Sequence, residues 1–175
     1  NIIKKFIWMV EQCKGRFYEM KYYKKVSKVL YVSDQDAKYS RENFKDNAIK
    51  KGMVYGVDLN RINNEEKKFD HIGFEDESLI FTGNLDYGPN IDATNFILDE
   101  ILPLLWVKRP KLKIYLVGRG AKKKINSYND KRIILTGYVD SLIPYMKKSK
   151  IFICPLFFGV GTKTKVLEAM GMGKL

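Results

Sequence analysis

Lys150-Ile-Phe-Ile-Cys154-Pro155-Leu-Phe-Phe158-Gly159-Val-Gly161-Thr-Lys163-Thr-Lys165-Val-Leu-Glu168-Ala-Met170-Gly-Met-Gly173-Lys174 reads as a short buried strand, a glycine loop and an amphipathic helix. Ile151 to Ile153 form the apolar run, and Pro155 ends it because proline has no N–H to give a strand ladder. Gly159 and Gly161 allow a sharp turn and a close approach to a ligand. From Thr162 the spacing is helical, with Val166 and Met170 on one face and Lys165 and Glu168 on another. A helix that starts after a glycine loop directs unpaired N–H groups and a positive dipole end at whatever binds there. Lys163 and Lys165 beside that positive end oppose it, which fits an anion better than it fits stability.

The preceding stretch repeats the same unit. Ser78–Thr82, Leu112–Val117 and Arg132–Leu135 are apolar strands of four to six residues, and loops bearing Gly83, Gly118 and Gly137 follow them. Helices are expected from Pro89 to about Lys108, kinked at Pro103, and from the cap Asp140-Ser141 to about Ser149. A short basic helix is expected after Gly120. Strands alternating with helices predict an α/β fold, a Rossmann-like parallel sheet with helices on both faces. Ligands bind such sheets beyond the carboxyl ends of the strands, where these glycines lie.

Farther out the pattern weakens. Leu59 to Glu77 is rich in Asn, Lys, Glu and Asp without periodicity, and reads as a linker that includes the single histidine, His71. Ahead of it stand a basic, aromatic helix over Ile2 to Lys28, broken near Gly15, and a strand at Val29–Val32. A helix capped by Ser33-Asp34 and a second short strand within Ala48–Tyr55 follow. Two domains, 1–58 and 78–175, joined by a linker, 59–77, are therefore expected.

Composition narrows the chemistry. A formal charge of +12 over 175 residues favours anionic partners. Cys13 and Cys154 are expected as free, buried thiols, and one histidine with two distant cysteines supports neither a zinc site nor a Ser-His-Asp mechanism. No apolar run reaches the ~18–20 residues of a membrane span. The basic, aromatic first helix is compatible with peripheral association at an anionic membrane surface, at the cytoplasmic face.

Two phosphate-binding patterns fail. Gly161-Thr-Lys163-Thr lacks the glycine directly before the lysine that a P-loop requires. Gly118-Arg-Gly120 follows a strand, but Lys123 stands where a dinucleotide fingerprint has its third glycine.

From Leu79 to Lys174 the chain resembles the donor-binding domain of the family-4 glycosyltransferases, which have the two-Rossmann GT-B fold. It is most similar to bacterial exopolysaccharide-type sugar transferases of group 1. The residues that carry the resemblance are Phe81-Thr-Gly83-Asn84-Leu-Asp-Tyr87-Gly-Pro89-Asn90, Leu116-Val-Gly118-Arg-Gly120, Thr136-Gly137-Tyr138-Val139-Asp140 and Gly161 to Lys174. Arg16-Phe-Tyr-Glu19, Val32-Ser33-Asp34-Gln-Asp36 and Gly56-Val57-Asp58 look like the close of the same family's acceptor-side domain.

The resemblance implies a piece of a GT-B glycosyltransferase, truncated at both ends, whose parent moves a sugar from a nucleotide diphosphate sugar to a glycan or lipid-linked acceptor. No cofactor or metal is implied, and the piece alone is expected to be inactive, its general base lying upstream of Asn1. Glu168 would meet the donor ribose, and Lys165 and Lys163 the diphosphate. The Gly161-Thr162 backbone would face phosphate or sugar, and Gly137, Tyr138 and Val139 would lie near the base. Gly83, Asn84 and Gly118 complete the implied donor edge. The chain departs from the family pattern at Val160, where many members carry a second acid, at Phe157, often arginine, and at Asn84, commonly arginine. Those departures leave a non-catalytic relative as one alternative. A basic nucleic-acid-binding module is the other, although no RNA-binding motif appears and nucleic acid is not the expected partner.

Overall fold

The computed structural model describes residues 2–53, 56–120, 128–158 and 162–175. The expected basic helix after Gly120 falls mostly outside them. The chain forms two compact units, Asn1–Tyr55 with Val160–Thr162, and Gly56–Gly159 with Lys163–Leu175.

The first unit opens on α1 (Ile2–Tyr23), which runs without interruption through Gly15. A helix interior tolerates one exposed glycine at a cost of ~1 kcal/mol, so the expected break does not occur. The strands β1 (Lys28–Tyr31) and β2 (Ile49–Gly52) pair in parallel, and α2 (Asp34–Asn43) crosses between them. Ser33 starts α2 by accepting the Asp36 N–H at 3.1 Å while its hydroxyl donates to the Asp36 carboxylate at 2.6 Å. Lys50 is buried under this crossover; its ammonium donates to Asp46 at 2.6 Å and to the Phe44 carbonyl at 2.9 Å.

The second unit begins with α3 (Leu59–Lys67). The stretch read as a linker is thus largely a helix followed by the start of a strand. Asp58 caps it by accepting the Arg61 N–H at 2.9 Å, and Ile62, its one deeply buried residue, holds it down. Next come β3 (Glu75–Thr82), α4 (Gly88–Phe96), a π-helical turn (Ile97–Ile101), α5 (Leu102–Lys108) and β4 (Lys113–Val117). They are followed by β5 (Ile133–Gly137), α6 (Ile143–Lys148), β6 (Ser149–Phe152) and α7 (Thr164–Gly171). The four strands form a parallel sheet in the order β5-β4-β3-β6.

Both faces of the sheet are covered. Leu79 and Phe81 pack with Leu85, Ala93, Ile97 and Leu102 on one side. Ile80, Tyr115 and Val117 pack with Met146 and Ala169 on the other. That is why the strands read as nearly unbroken apolar runs. The irregularity expected at Pro103 lies one turn earlier, as the π turn. A proline ring crowds the carbonyl four residues back, and the preceding turn widens to admit it.

Candidate functional site

The carboxyl ends of β3, β4 and β5 are tied together through backbone. The Gly83 N–H donates to the Val117 carbonyl at 3.0 Å, and the Gly118 N–H to the Gly137 carbonyl at 3.1 Å. Gly118, at φ 139°, could not be any other residue, because a Cβ there would lie 1.8 Å from the Gly83 carbonyl oxygen. Three of the glycines singled out in the sequence therefore form one continuous strip.

Lys165, in the first turn of α7, reaches this strip. Its ammonium donates to the Thr82 carbonyl at 2.8 Å and to Asn90 Oδ1 at 3.0 Å, and stands 4.5 Å from the centre of the Phe81 ring. A Cβ on Gly83 would come within 3.2 Å of the ammonium. Burial pushes its pKa below the ordinary lysine value; the Cys154 thiol opposes that shift and the Lys163 charge adds to it. No ion pair joins Lys165 to a carboxylate among the described residues.

Glu168 lies one turn on. It does not pair with Lys165; its carboxylate faces Arg61 of α3, with Arg61 Nη2 at 3.6 Å from Oε1. Lys165, Glu168, Thr82, Arg61, Asp140 and Ser141 help enclose a cleft of about 210 Å3. That is below the ~300–1,000 Å3 of a pocket for a whole drug-sized ligand, and suits one charged portion of one. The inward face of α7 is thus Lys165, Glu168 and Ala169, whereas Met170, read on one face with Val166, is 65% exposed.

The remaining predicted residues are placed unevenly. Asn84 is exposed, and its side chain accepts the Asp86 N–H at 3.2 Å in a local turn. Tyr138 is 73% exposed, while Val139 is partly buried against the sheet. Lys163 begins α7, its carbonyl accepting the Val166 N–H at 3.0 Å. Thr162 belongs to the first unit, where its hydroxyl donates to the Val32 carbonyl at 3.3 Å. Gly161, like Val160 and Gly159, lies outside the described residues. Arg61 was missed, being read as part of a linker, and Asn90 was quoted within a motif but given no site role.

The sequence model of the family described as glycosyl transferases group 1 matches residues 76–175, more than half of the chain. The chain belongs to the group 1 glycosyl transferases. A 44.6 kDa protein encoded in a cps region of Klebsiella pneumoniae is 27% identical over 112 residues, 59% of this chain and 29% of that protein. Among solved structures, TarM superposes with a TM-score of 0.66 at 16% identity, covering 92% of this chain and 31% of TarM. A glycosyltransferase from Rickettsia africae superposes with a TM-score of 0.61 at 17% identity, covering 89% of this chain and 46% of that one. At such identity the two structures establish the fold, which is that of GT-B glycosyltransferases. The chain spans under half the length of these relatives. The family match takes in every strand of the four-stranded sheet except the first residue of β3, Glu75, and includes both Lys165 and Glu168.

Both cysteines are free; Cys13 is exposed, contrary to its expected burial, and Cys154 is half-buried. No group of three His, Cys, Asp or Glu among the described residues is arranged to hold a metal ion. No described helix is long and apolar enough to cross a membrane.

Proposed function

We propose that the protein transfers a sugar from a nucleotide diphosphate sugar to a hydroxyl of a glycan or lipid-linked acceptor, in polysaccharide or glycoconjugate synthesis. Residues 78–175 are the donor-binding part and residues 1–58 the end of an acceptor-side part. One observation carries this reading: a half-buried lysine, without a carboxylate partner among the described residues, stands at the glycine strip, one helical turn from the carboxylate of Glu168. In the transfer, the acceptor oxygen bonds to the anomeric carbon while the bond from that carbon to the diphosphate oxygen breaks. The hydroxyl proton goes to a general base. The leaving diphosphate gains charge, and Lys165 is the residue to take it up. Glu168 accepts from the ribose hydroxyls. Positive charge on the donor side comes from lysine here, so the reaction is read as metal-independent. The relative from a cps region supports a polysaccharide setting.

The test is calorimetric titration with UDP- and GDP-sugars of the protein and its Glu168→Ala variant. A loss of at least about tenfold in affinity is expected, the scale of a charged hydrogen bond. Equal affinities would remove Glu168 from the site. The 175 residues by themselves are expected to bind donor without turning it over, because they span under half the length of the relatives they match.

A second reading concerns location. In α1, Ile3, Phe6, Trp8 and Phe17 are at least 60% exposed, and Lys5, Lys14, Arg16 and Lys21 are exposed as well. Exposed apolar and basic residues on one helix suit peripheral association with an anionic membrane, which would be the inner leaflet. Co-sedimentation with anionic but not neutral vesicles is expected, and equal sedimentation with both would count against it.

A further inference from the structure

Asn90 closes the first of the motifs that carry the resemblance, and its side chain ties Lys165 to the loop after β3. It is 92% buried at the start of α4, being 8% exposed. Its amide Nδ2 donates to the Asn84 carbonyl at 2.9 Å, and its Oδ1 accepts from the Lys165 ammonium at 3.0 Å. The first bond settles the second: with the nitrogen committed to a carbonyl, the oxygen must face the lysine. The backbone carbonyl of Asn90 is also used, accepting the Thr94 hydroxyl at 2.7 Å.

The two bonds join the loop after β3 to α7 across 75 residues of chain. They also decide what kind of partner the ammonium has. A carboxylate at this point would hold the lysine as well, but it would cancel the field that an incoming anion needs. An amide oxygen and a backbone carbonyl orient the ammonium and leave its charge available. The aromatic face of Phe81 does the same from a third side.

We propose that Asn90 is a positioning residue for diphosphate recognition, holding the Lys165 ammonium at the Gly83 turn with a neutral acceptor so that its full charge is presented to the donor's phosphates. This rests on the donor-site reading given above. Other groups able to influence the ammonium are the Cys154 thiol and Lys163 nearby, and Glu168, Arg61, Glu65 and Asp140 around the same cleft.

The experiment measures UDP and GDP binding by calorimetry from pH 6 to 10, for the wild type, Asn90→Asp, Asn90→Ala and Lys165→Ala. Nitrogen NMR of the Lys165 ammonium accompanies it. Asn90→Asp is expected to weaken binding at least tenfold while moving the Lys165 titration to higher pH, because a carboxylate replaces the amide oxygen. Asn90→Ala is expected to weaken binding too, but to move that titration to lower pH, because an acceptor is removed from a buried cation. A merely structural role for Asn90 would move both variants the same way, and that result would overturn the proposal. If either variant fails to fold, the sign of the shift in the other decides alone: upward for Asp, downward for Ala. Binding abolished by Lys165→Ala but unchanged by both Asn90 variants would overturn this inference and leave the donor site standing. Failure of the wild type to bind either nucleotide would overturn the donor reading and this inference with it.

Discussion

Arg61 Nη2 stands 3.6 Å from Glu168 Oε1, on opposite walls of the cleft, and the arginine also lies 3.5 Å from Glu65. The guanidinium is 54% exposed and neither distance is that of a tight bidentate pair. Such pairs contribute ~0–1 kcal/mol, so Arg61→Ala should change the free energy of urea unfolding by about 0.5 kcal/mol or less. The same variant should alter nucleotide-sugar affinity, since it removes a charge from the cleft. A large loss of stability would show that the pair props α3 against α7, and a null effect on binding would remove Arg61 from the site.

Gly118 and Gly15 should respond oppositely to alanine. At Gly118 the φ of 139° and the 1.8 Å approach to the Gly83 carbonyl leave no room, and Gly118→Ala should cost about 3 kcal/mol or more. Gly15 lies in mid-helix with nothing within 4 Å of its added methyl, so Gly15→Ala should stabilise α1 by about 0.5–1 kcal/mol. Urea unfolding for the first and helical circular dichroism on heating for the second provide the measurements.

Asp46 is the sole carboxylate paired with buried Lys50 among the described residues. The Lys50 hydrogen bond, outweighing burial, holds its carboxyl below the ordinary value of 3.8. A depressed carboxylate contributes stability that is complete above its unfolded value and disappears as pH falls through the folded one. The first unit should therefore loosen below about pH 4. Asp46→Asn should remove that acid limb and cost about 3 kcal/mol at neutral pH, by leaving the ammonium without its counter-charge. Hydrogen exchange of the amides of residues 28–52 separates this from events in the second unit.

Burial pushes the Cys154 thiol up, and the Lys165 and Lys163 charges only partly offset it. Since the thiolate is the reactive form, iodoacetamide at pH 8 should modify exposed Cys13 at least about tenfold faster than half-buried Cys154. Peptide mass spectrometry over time reads both sites together. Equal rates would mean that Cys154 is neither shielded nor held protonated.

What the sequence made legible was the part built by local rules. Runs such as Leu79 to Phe81 are apolar at every position, because both sheet faces are covered, and glycines mark the turns at their ends. The helix at Leu59–Lys67 was not legible, because its nine residues are mostly polar and it is held by one cap and one buried isoleucine. Asn90 was hidden by its neighbourhood: after Tyr87-Gly-Pro89 an asparagine looks like turn chemistry. Its partner Lys165 is 75 positions away, and nothing local announces the pairing. Lys165 and Glu168 were both identified as site residues, and although they stand at i,i+3 on one helix they do not pair. The cleft separates them, turning one to the glycine strip and the other to Arg61.

The π turn at Ile97–Ile101 holds one residue more than an α-helical turn would. The widened turn takes up that extra residue with about the rotation and rise of an α-helical turn one residue shorter, so the α-helical segments on either side stay nearly in phase. Deleting one residue at the π turn should therefore leave a regular helix that still presents Trp106, whose indole N–H reaches the Leu112 carbonyl at 2.8 Å and whose ring lies 3.6 Å from the Arg132 guanidinium. The spare residue is a tolerated insertion, and the π turn is the one place in this helix where a change of length costs no change of face.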